Sequence, residues 1–222
     1  MAVTIHNPAP SGFPDEEVER WRKIPVSIAV DLQRNGCEID PDIRPLRAAG
    51  QQPRLFGRAV TCVTAPPDFG PVLYASDLVG PGDVLVIAAA GHRETAMIGE
   101  IVSGYLRSRG GVGVVVDGAV RDVDAMAQWD DFATFTRWTT PRGPAGLDHG
   151  DINIPVTVGG RRVSPGDVIM GDDDGLAALS PEFMAAHIEA AEAKLSLEAQ
   201  WEAGLAKGTI AETFNLPPAD KG

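Results

Sequence analysis

Arg121 and Asp122 stand side by side, directly after the run Gly113-Val114-Val115-Val116-Asp117-Gly118-Ala119-Val120. A guanidinium forks onto carboxylate or keto oxygens, and a carboxylate holds a hard cation. The pair suits an anionic, oxygen-rich small molecule bound through a metal. The plainer reading is an exposed turn pair, which would contribute little. Spacing alone leaves both open.

Such a pair needs a rigid support. The β-branched run 112–116 reads as a strand buried on both faces. Polar groups just beyond a buried strand sit at the rim of a core, where α/β proteins bind ligands. Upstream, 57–64 alternates as a strand and is ended by Pro66-Pro67. Pro81-Gly82-Asp83 and Pro165-Gly166-Asp167 are turns, each feeding a short apolar strand. Residues 93–107 predict a helix with Ala96, Met97, Ile101, Tyr105 and Leu106 on its apolar side. With the strands before and after it, this makes a βαβ unit and hence a parallel pair. Residues 15–23 and 28–32 predict short helices, 132–138 a strand, 141–151 a loop and 154–163 a hairpin.

The stretch 181–205 predicts a long helix, with Ser180, Pro181 and Glu182 at its start. Met184, Ile188, Ala191 and Leu195 form one apolar seam, and Glu198 takes the next seam position. Glu198 either pairs at the helix end or points its carboxylate into a neighbouring site. Asp172-Asp173-Asp174-Gly175 superficially resembles a calcium loop, but no spaced glutamate completes one. A charged turn between two strands is the preferred reading. His149 beside Asp148 is left outside the site.

The 222 residues suffice for one large domain, with 44% hydrophobic and 23% charged residues. A net charge of −12 argues against a surface built for nucleic-acid phosphates. Arg54, Arg58, Arg121, Arg142, Arg161 and Arg162 remain available to line an anion pocket. Cys37 and Cys62 lie in no metal-ligand pattern, so two buried free thiols are expected, although one disulfide stays open. No signal peptide is visible, and no run approaches the roughly 20 apolar residues of a membrane span. The expectation is a soluble cytoplasmic protein. A strand followed by a glycine-rich nucleotide loop and an acidic ribose ligand is not found, which disfavours a methyltransferase.

Taken together, Pro81 through Val86, Gly99-Glu100, Gly113 through Asp122 and Pro165 through Gly175 resemble the class II pyruvate aldolases. These cleave 4-hydroxy-4-methyl-2-oxoglutarate or 4-carboxy-4-hydroxy-2-oxoadipate, and their family includes RraA-like regulators of ribonuclease E. The resemblance covers residues 15–205, with 1–14 as an N-terminal arm and 206–222 as a tail. Twenty residues separate Glu100 from Arg121, matching the family's Gly/Asp-x20-Arg-Asp signature. Three positions depart from it. Glu100 stands where members often carry Asp, Asp124 rather than position 125 is the next acidic residue, and His92 occupies a glycine-rich turn.

The resemblance implies an α/β single domain of layered β/β/α, swivelling-domain type, with a long C-terminal helix. It implies a lyase that cleaves a 4-hydroxy-2-oxo acid to pyruvate and a carbonyl compound, with oxaloacetate decarboxylation as a companion reaction. Asp122 would hold Mg2+ or Mn2+, Arg121 the substrate's keto or carboxylate oxygen, and the backbone at Gly99, Glu100 and Ile101 the rest of the anion. Glu100 would relay a proton, and Glu198 would be contributed by an adjacent subunit of a homotrimer or hexamer. No nucleic-acid or membrane partner is expected. The alternative within the same family is a non-catalytic regulator that binds and inhibits a ribonuclease complex.

Overall fold

The computed structural model describes residues 3–7, 15–33 and 36–218. In chain order the elements are β1 (Thr4–Ile5), α1 (Asp15–Trp21), α2 (Val26–Leu32), β2 (Arg44–Pro45), β3 (Leu55–Thr64), α3 (Gly70–Ser76), β4 (Asp83–Ala88), β5 (Ala96–Ile98) and α4 (Glu100–Ser108). They continue with β6 (Gly113–Val120), α5 (Val123–Met126), β7 (Ala133–Thr139), β8 (Gly150–Ile152), β9 (Val156–Val158), β10 (Arg161–Val163), β11 (Val168–Asp172), β12 (Gly175–Leu179), α6 (Pro181–Leu205) and α7 (Ile210–Thr213).

The centre is the parallel set β3-β4-β6-β7. Its strands are joined through α3, α4 and α5 in turn, as parallel pairing requires. β3 is long enough to serve two partners along its outer edge: its first residues pair antiparallel with β11 and its last three with β8. Every residue of β6 is buried. Alternation along the strands divides that burial between two faces. Leu85, Ile87, Val114 and Val116 pack with Val72 and Ala75 of α3 and Leu106 of α4. Val84, Val86, Val115 and Phe135 pack with Val156, Val158 and Val163 of the separate β9–β10 hairpin. The result is helix, sheet and hairpin in layers, the mixed α/β arrangement expected. Each large aliphatic side chain so buried contributes about 1.5–3 kcal/mol before entropy is counted.

A third cluster joins β11 and β12 to α1, α2 and α6 through Trp21, Ile28, Met170, Leu179, Met184, Ile188 and Ala191. Met184, Ile188 and Ala191 of the α6 seam are buried as its spacing predicts, and Leu195 packs half-buried against them. Ser180 caps it, its Oγ accepting from the Phe183 N–H at 3.2 Å. The three aspartates form the turn between β11 and β12. Asp172 accepts from the N–H groups of Val26 and Asp174, and Asp173 from that of Gly50, so two of the three carboxylates serve as structural acceptors. Cys37 and Cys62 are buried free thiols, and burial pushes the Cys62 thiol up to about 12. No helix among the described residues is long and apolar enough to cross a membrane.

Two expectations need correction. The helix predicted over 93–107 begins only at Glu100, and Ala96, Met97 and Ile98 instead form β5 against the end of β6. All three are buried, so their burial beside a central strand outweighs the helical period. Ile101 and Tyr105, assigned to the apolar side, are exposed, while Leu106 is buried. The second helix starts at Val26 rather than Ile28, with Pro25 at its N-cap position.

Candidate functional site

The site forms where β6 ends. The Arg121 N–H still donates to Ile98 O at 3.1 Å, holding the end of β6 to β5. The next residue turns the chain sharply: Asp122 has φ 56° and ψ 38°, the left-handed region. Aspartate is one of the few residues besides glycine that adopts it at low cost. From there the Asp122 carboxylate lies against the start of α4, where Oδ2 accepts the Glu100 N–H at 3.2 Å. The Arg121 Nε sits 3.5 Å from the same oxygen. A carboxylate at a helix N-terminus is electrostatically favoured.

Gly99 makes this approach possible. Its backbone is extended (φ −150°, ψ −165°), which any residue adopts, so the demand is for space. A Cβ there would collide with Asp122 Oδ2 and come within 2.8 Å of Arg121 Cγ. The adjacent first-turn N–H groups of Ile101 and Val102 have no carbonyl within the helix to bond.

Two clefts share this pair. One is lined by Phe69, Met97, Ile98, Gly99, Ile101, Val102, Arg121, Asp122 and Pro144. The other is lined by Val120, Arg121, Asp122, Val123, Thr139, Thr140 and Pro141. The first is apolar except at the Arg–Asp end, the pattern of a small-molecule site with few orienting polar groups. Gly143 lets the chain pass close to the guanidinium, since a Cβ there would lie 2.6 Å from Arg121 Nη1. Arg121 and Asp122 are each about two-fifths exposed, open to a ligand.

A divalent cation fits this donor set. Asp122 Oδ1 has no protein partner among the described residues, and the carboxylate opens onto both clefts. No cluster of three or more His, Cys, Asp or Glu side chains surrounds it among the described residues. One carboxylate with room for water suits Mg2+, which keeps several waters and few protein ligands.

The fold thus brings Gly99, Glu100, Ile101, Arg121 and Asp122 together. Glu198 lies elsewhere in the chain's fold: it is 3.6 Å from Lys194, which also pairs with Asp31 of α2. Of the arginines read as available for anions, Arg121 alone lines these two clefts among the described residues. Arg54 donates to Ile24 O, and Arg161 to Glu38 O at 3.1 Å. Phe69, Gly143 and Pro144 fall in 69–74 and 141–150, segments the sequence offers as substrate-reading loops without singling out these residues. They come from segments without periodic pattern, and the glycine-proline content of 141–151 signalled only a loop.

Comparison with known proteins converges on one family. The RraA-like model, described as Aldolase/RraA, matches residues 26–177. A protein of Halalkalibacterium halodurans is 35% identical over 162 residues, covering 73% of this chain and 75% of its own. One from Ectopseudomonas mendocina is 33% identical over 156 residues, covering 67% and 93%. Both carry the name "Putative 4-hydroxy-4-methyl-2-oxoglutarate aldolase". Among solved structures, the RNA-processing inhibitor RraA from Thermus thermophilis superposes with TM-score 0.63 at 27% identity, over 71% of this chain and 93% of that one. An uncharacterized protein from Pseudomonas syringae reaches TM-score 0.78 over 95% of this chain and 100% of its own; at 19% identity it speaks for the fold alone.

Proposed function

This chain belongs to the RraA-like family, Aldolase/RraA, and on that premise we propose that it is a divalent-metal-dependent lyase. It would cleave a 4-hydroxy-2-oxo acid to pyruvate and a carbonyl compound, with oxaloacetate decarboxylation as a companion reaction. The observation that carries this is the convergence of the α4 N-terminus, Arg121 and Asp122 on one cleft, with Gly99 clearing the space between them.

Cleavage of the C3–C4 bond leaves its electron pair on the pyruvate half as an enolate. Arg121 would bind the keto and carboxylate oxygens of that half, so its charge meets the negative charge as it develops. The free N–H groups opening α4 would take the outer carboxylate oxygen. Mg2+ or Mn2+ held by Asp122 would supply further electrostatic stabilisation of the enolate oxygen. The Asp122 Oδ2 contact to the Glu100 N–H fixes the carboxylate against rotation, so its position is set before substrate arrives. The C4 hydroxyl must lose a proton. Glu100, exposed at the first position of α4, stands beside the pair, its backbone N–H bonded to Asp122. Glu198, delivered from an adjacent subunit of a homotrimer or hexamer, is the second candidate. Decarboxylation of oxaloacetate yields the same enolate without that proton transfer, so it makes a smaller demand on the site.

The regulator reading draws on the likeness to the Thermus RNA-processing inhibitor. One assay separates the two: pyruvate release from 4-hydroxy-4-methyl-2-oxoglutarate and from oxaloacetate, with Mg2+ or with EDTA. The lyase reading expects release that EDTA abolishes and that falls by at least about 10²-fold in Asp122→Asn, a variant that keeps a residue tolerant of the left-handed turn. Equal release by wild type and Asp122→Asn, or none by either with both compounds, would refute it.

A further inference from the structure

The geometry points to Asp68 as a positioning residue that sets one wall of the Arg121 cleft, an inference that rests on the lyase reading for its substrate. Asp68 lies outside that cleft, at the start of α3, and its side chain is almost wholly buried. Its two oxygens do different work. Oδ1 accepts the Gly70 N–H at 2.9 Å, fixing the carboxylate to the first turn of α3. Oδ2 accepts the Asp148 N–H at 2.8 Å and lies 3.5 Å from His149 Nδ1.

The segment so gripped is a strap over residues 142–149. Its first end is tied to β5, where the Ala96 N–H donates to Arg142 O at 2.9 Å. Its second end is tied around Asp68: the Ala145 N–H donates to Pro67 O, and the Phe69 N–H to Gly146 O. The fit is close throughout. A Cβ on Gly146 would lie 2.9 Å from Asp68 Oδ2, and one on Gly70 would collide with Leu147 O. Between the two ties sit Gly143, pressed against Arg121 Nη1, and Pro144, which faces the cleft with Phe69. The strap has no strand or helix of its own across 142–149, so ties of this kind fix where that wall stands. A buried carboxylate with two oriented oxygens is the central tie, and it couples the strap to the same helix start that carries Phe69.

Releasing the strap moves the wall and the groups around the guanidinium but leaves Asp122 and α4 in place. The effect should fall on ligand binding more than on bond cleavage. Asp68→Asn tests this: it is isosteric, still offers one oxygen to Gly70, but turns an amide NH2 toward the N–H groups it formerly accepted. Two measurements are needed. Hydrogen exchange should show faster exchange at residues 145–149, with the β3-β4-β6-β7 amides as protected as in wild type. Titration with oxalate, a planar mimic of pyruvate enolate, in the presence of Mg2+ should show about tenfold weaker binding, and KM for oxaloacetate should rise about tenfold with kcat within about threefold. Unchanged exchange at 145–149, or a faster strap with unchanged oxalate affinity, overturns the inference. Loss of protection throughout the sheet overturns it too, by making Asp68 a general folding residue. Failure of the wild type to bind oxalate would refute the lyase reading instead, and the exchange arm would still decide whether Asp68 holds the strap.

Discussion

Gly99→Ala should cost activity heavily and stability very little. The backbone at Gly99 is extended, so alanine meets no conformational penalty there. Its methyl group occupies the space now taken by Asp122 Oδ2 and lies 2.8 Å from Arg121 Cγ. Contact at normal van der Waals separation requires those side chains to retreat by about 1 Å. Both are about two-fifths exposed, so they can retreat into solvent without opening a cavity. The folding cost is then the loss of one charge-assisted, partly solvated hydrogen bond from the Glu100 N–H, about 1 kcal/mol. In a domain of this size that is a drop in Tm of about 2–4 °C. For catalysis, a 1 Å misplacement of positioned groups costs about 10²-fold, equivalent to about 2.7 kcal/mol of transition-state stabilisation. The assay is Mg2+-dependent pyruvate release from oxaloacetate, beside a thermal melt of the same preparation. Activity within about threefold of wild type would refute the reasoning, because the close approach would then not matter. A Tm fall beyond about 10 °C would refute it differently, by placing Gly99 in the structural core.

Two further outcomes are expected. Arg137 is mostly buried and bonds Asp117 Oδ1 at 2.8 Å and Asp40 Oδ2 at 3.0 Å. Arg137→Ala leaves Asp117 buried with only the Gly159 N–H on its other oxygen, and should destabilise by about 3 kcal/mol, read as a fall in chemical-denaturation midpoint at unchanged slope. At Asp68, burial raises the carboxyl, but the N–H groups of Asp148, Gly70 and His149 outweigh it and hold it below the usual carboxylate range. A depressed folded-state pKa contributes stability that is present above the unfolded value, about 3.9, and is lost as pH falls through the folded one. The stability gap between wild type and Asp68→Asn should therefore be full at pH 6 and close below about pH 4, as followed by melting at each pH. A gap that widens on acidification would contradict it.

The layers and the pair were legible for different reasons. The run after Gly113 is apolar on both faces because it becomes a central parallel strand, and such strands announce themselves by composition. Ser180, Met184, Ile188 and Ala191 were legible because a cap and a seam are local patterns. The segment 93–107 misled because Ala96 and Met97 fit a helical stripe as well as a short buried strand, and only the neighbour β6 decides between them. Arg121 and Asp122 stood out by type and place, yet the left-handed turn that aims Asp122 at α4 has no signature in an aspartate. The strap was illegible for a deeper reason. Its course is dictated by hydrogen bonds to residues about 80 positions away in sequence, and no local period encodes those.

The chemistry here is detachable from the scaffold. Arg121 and Asp122 project beyond the C-terminal end of a central strand and stay about two-fifths exposed, while the core runs through β4, β6 and β7 beneath them. A single replacement at Gly99 or Asp122 would silence the cleft and leave a folded domain with nearly the same surface. On the lyase reading, catalysis would be lost in one mutational step with no repair of the core required. The relatives' names span both kinds of protein, putative aldolases and an RNA-processing inhibitor.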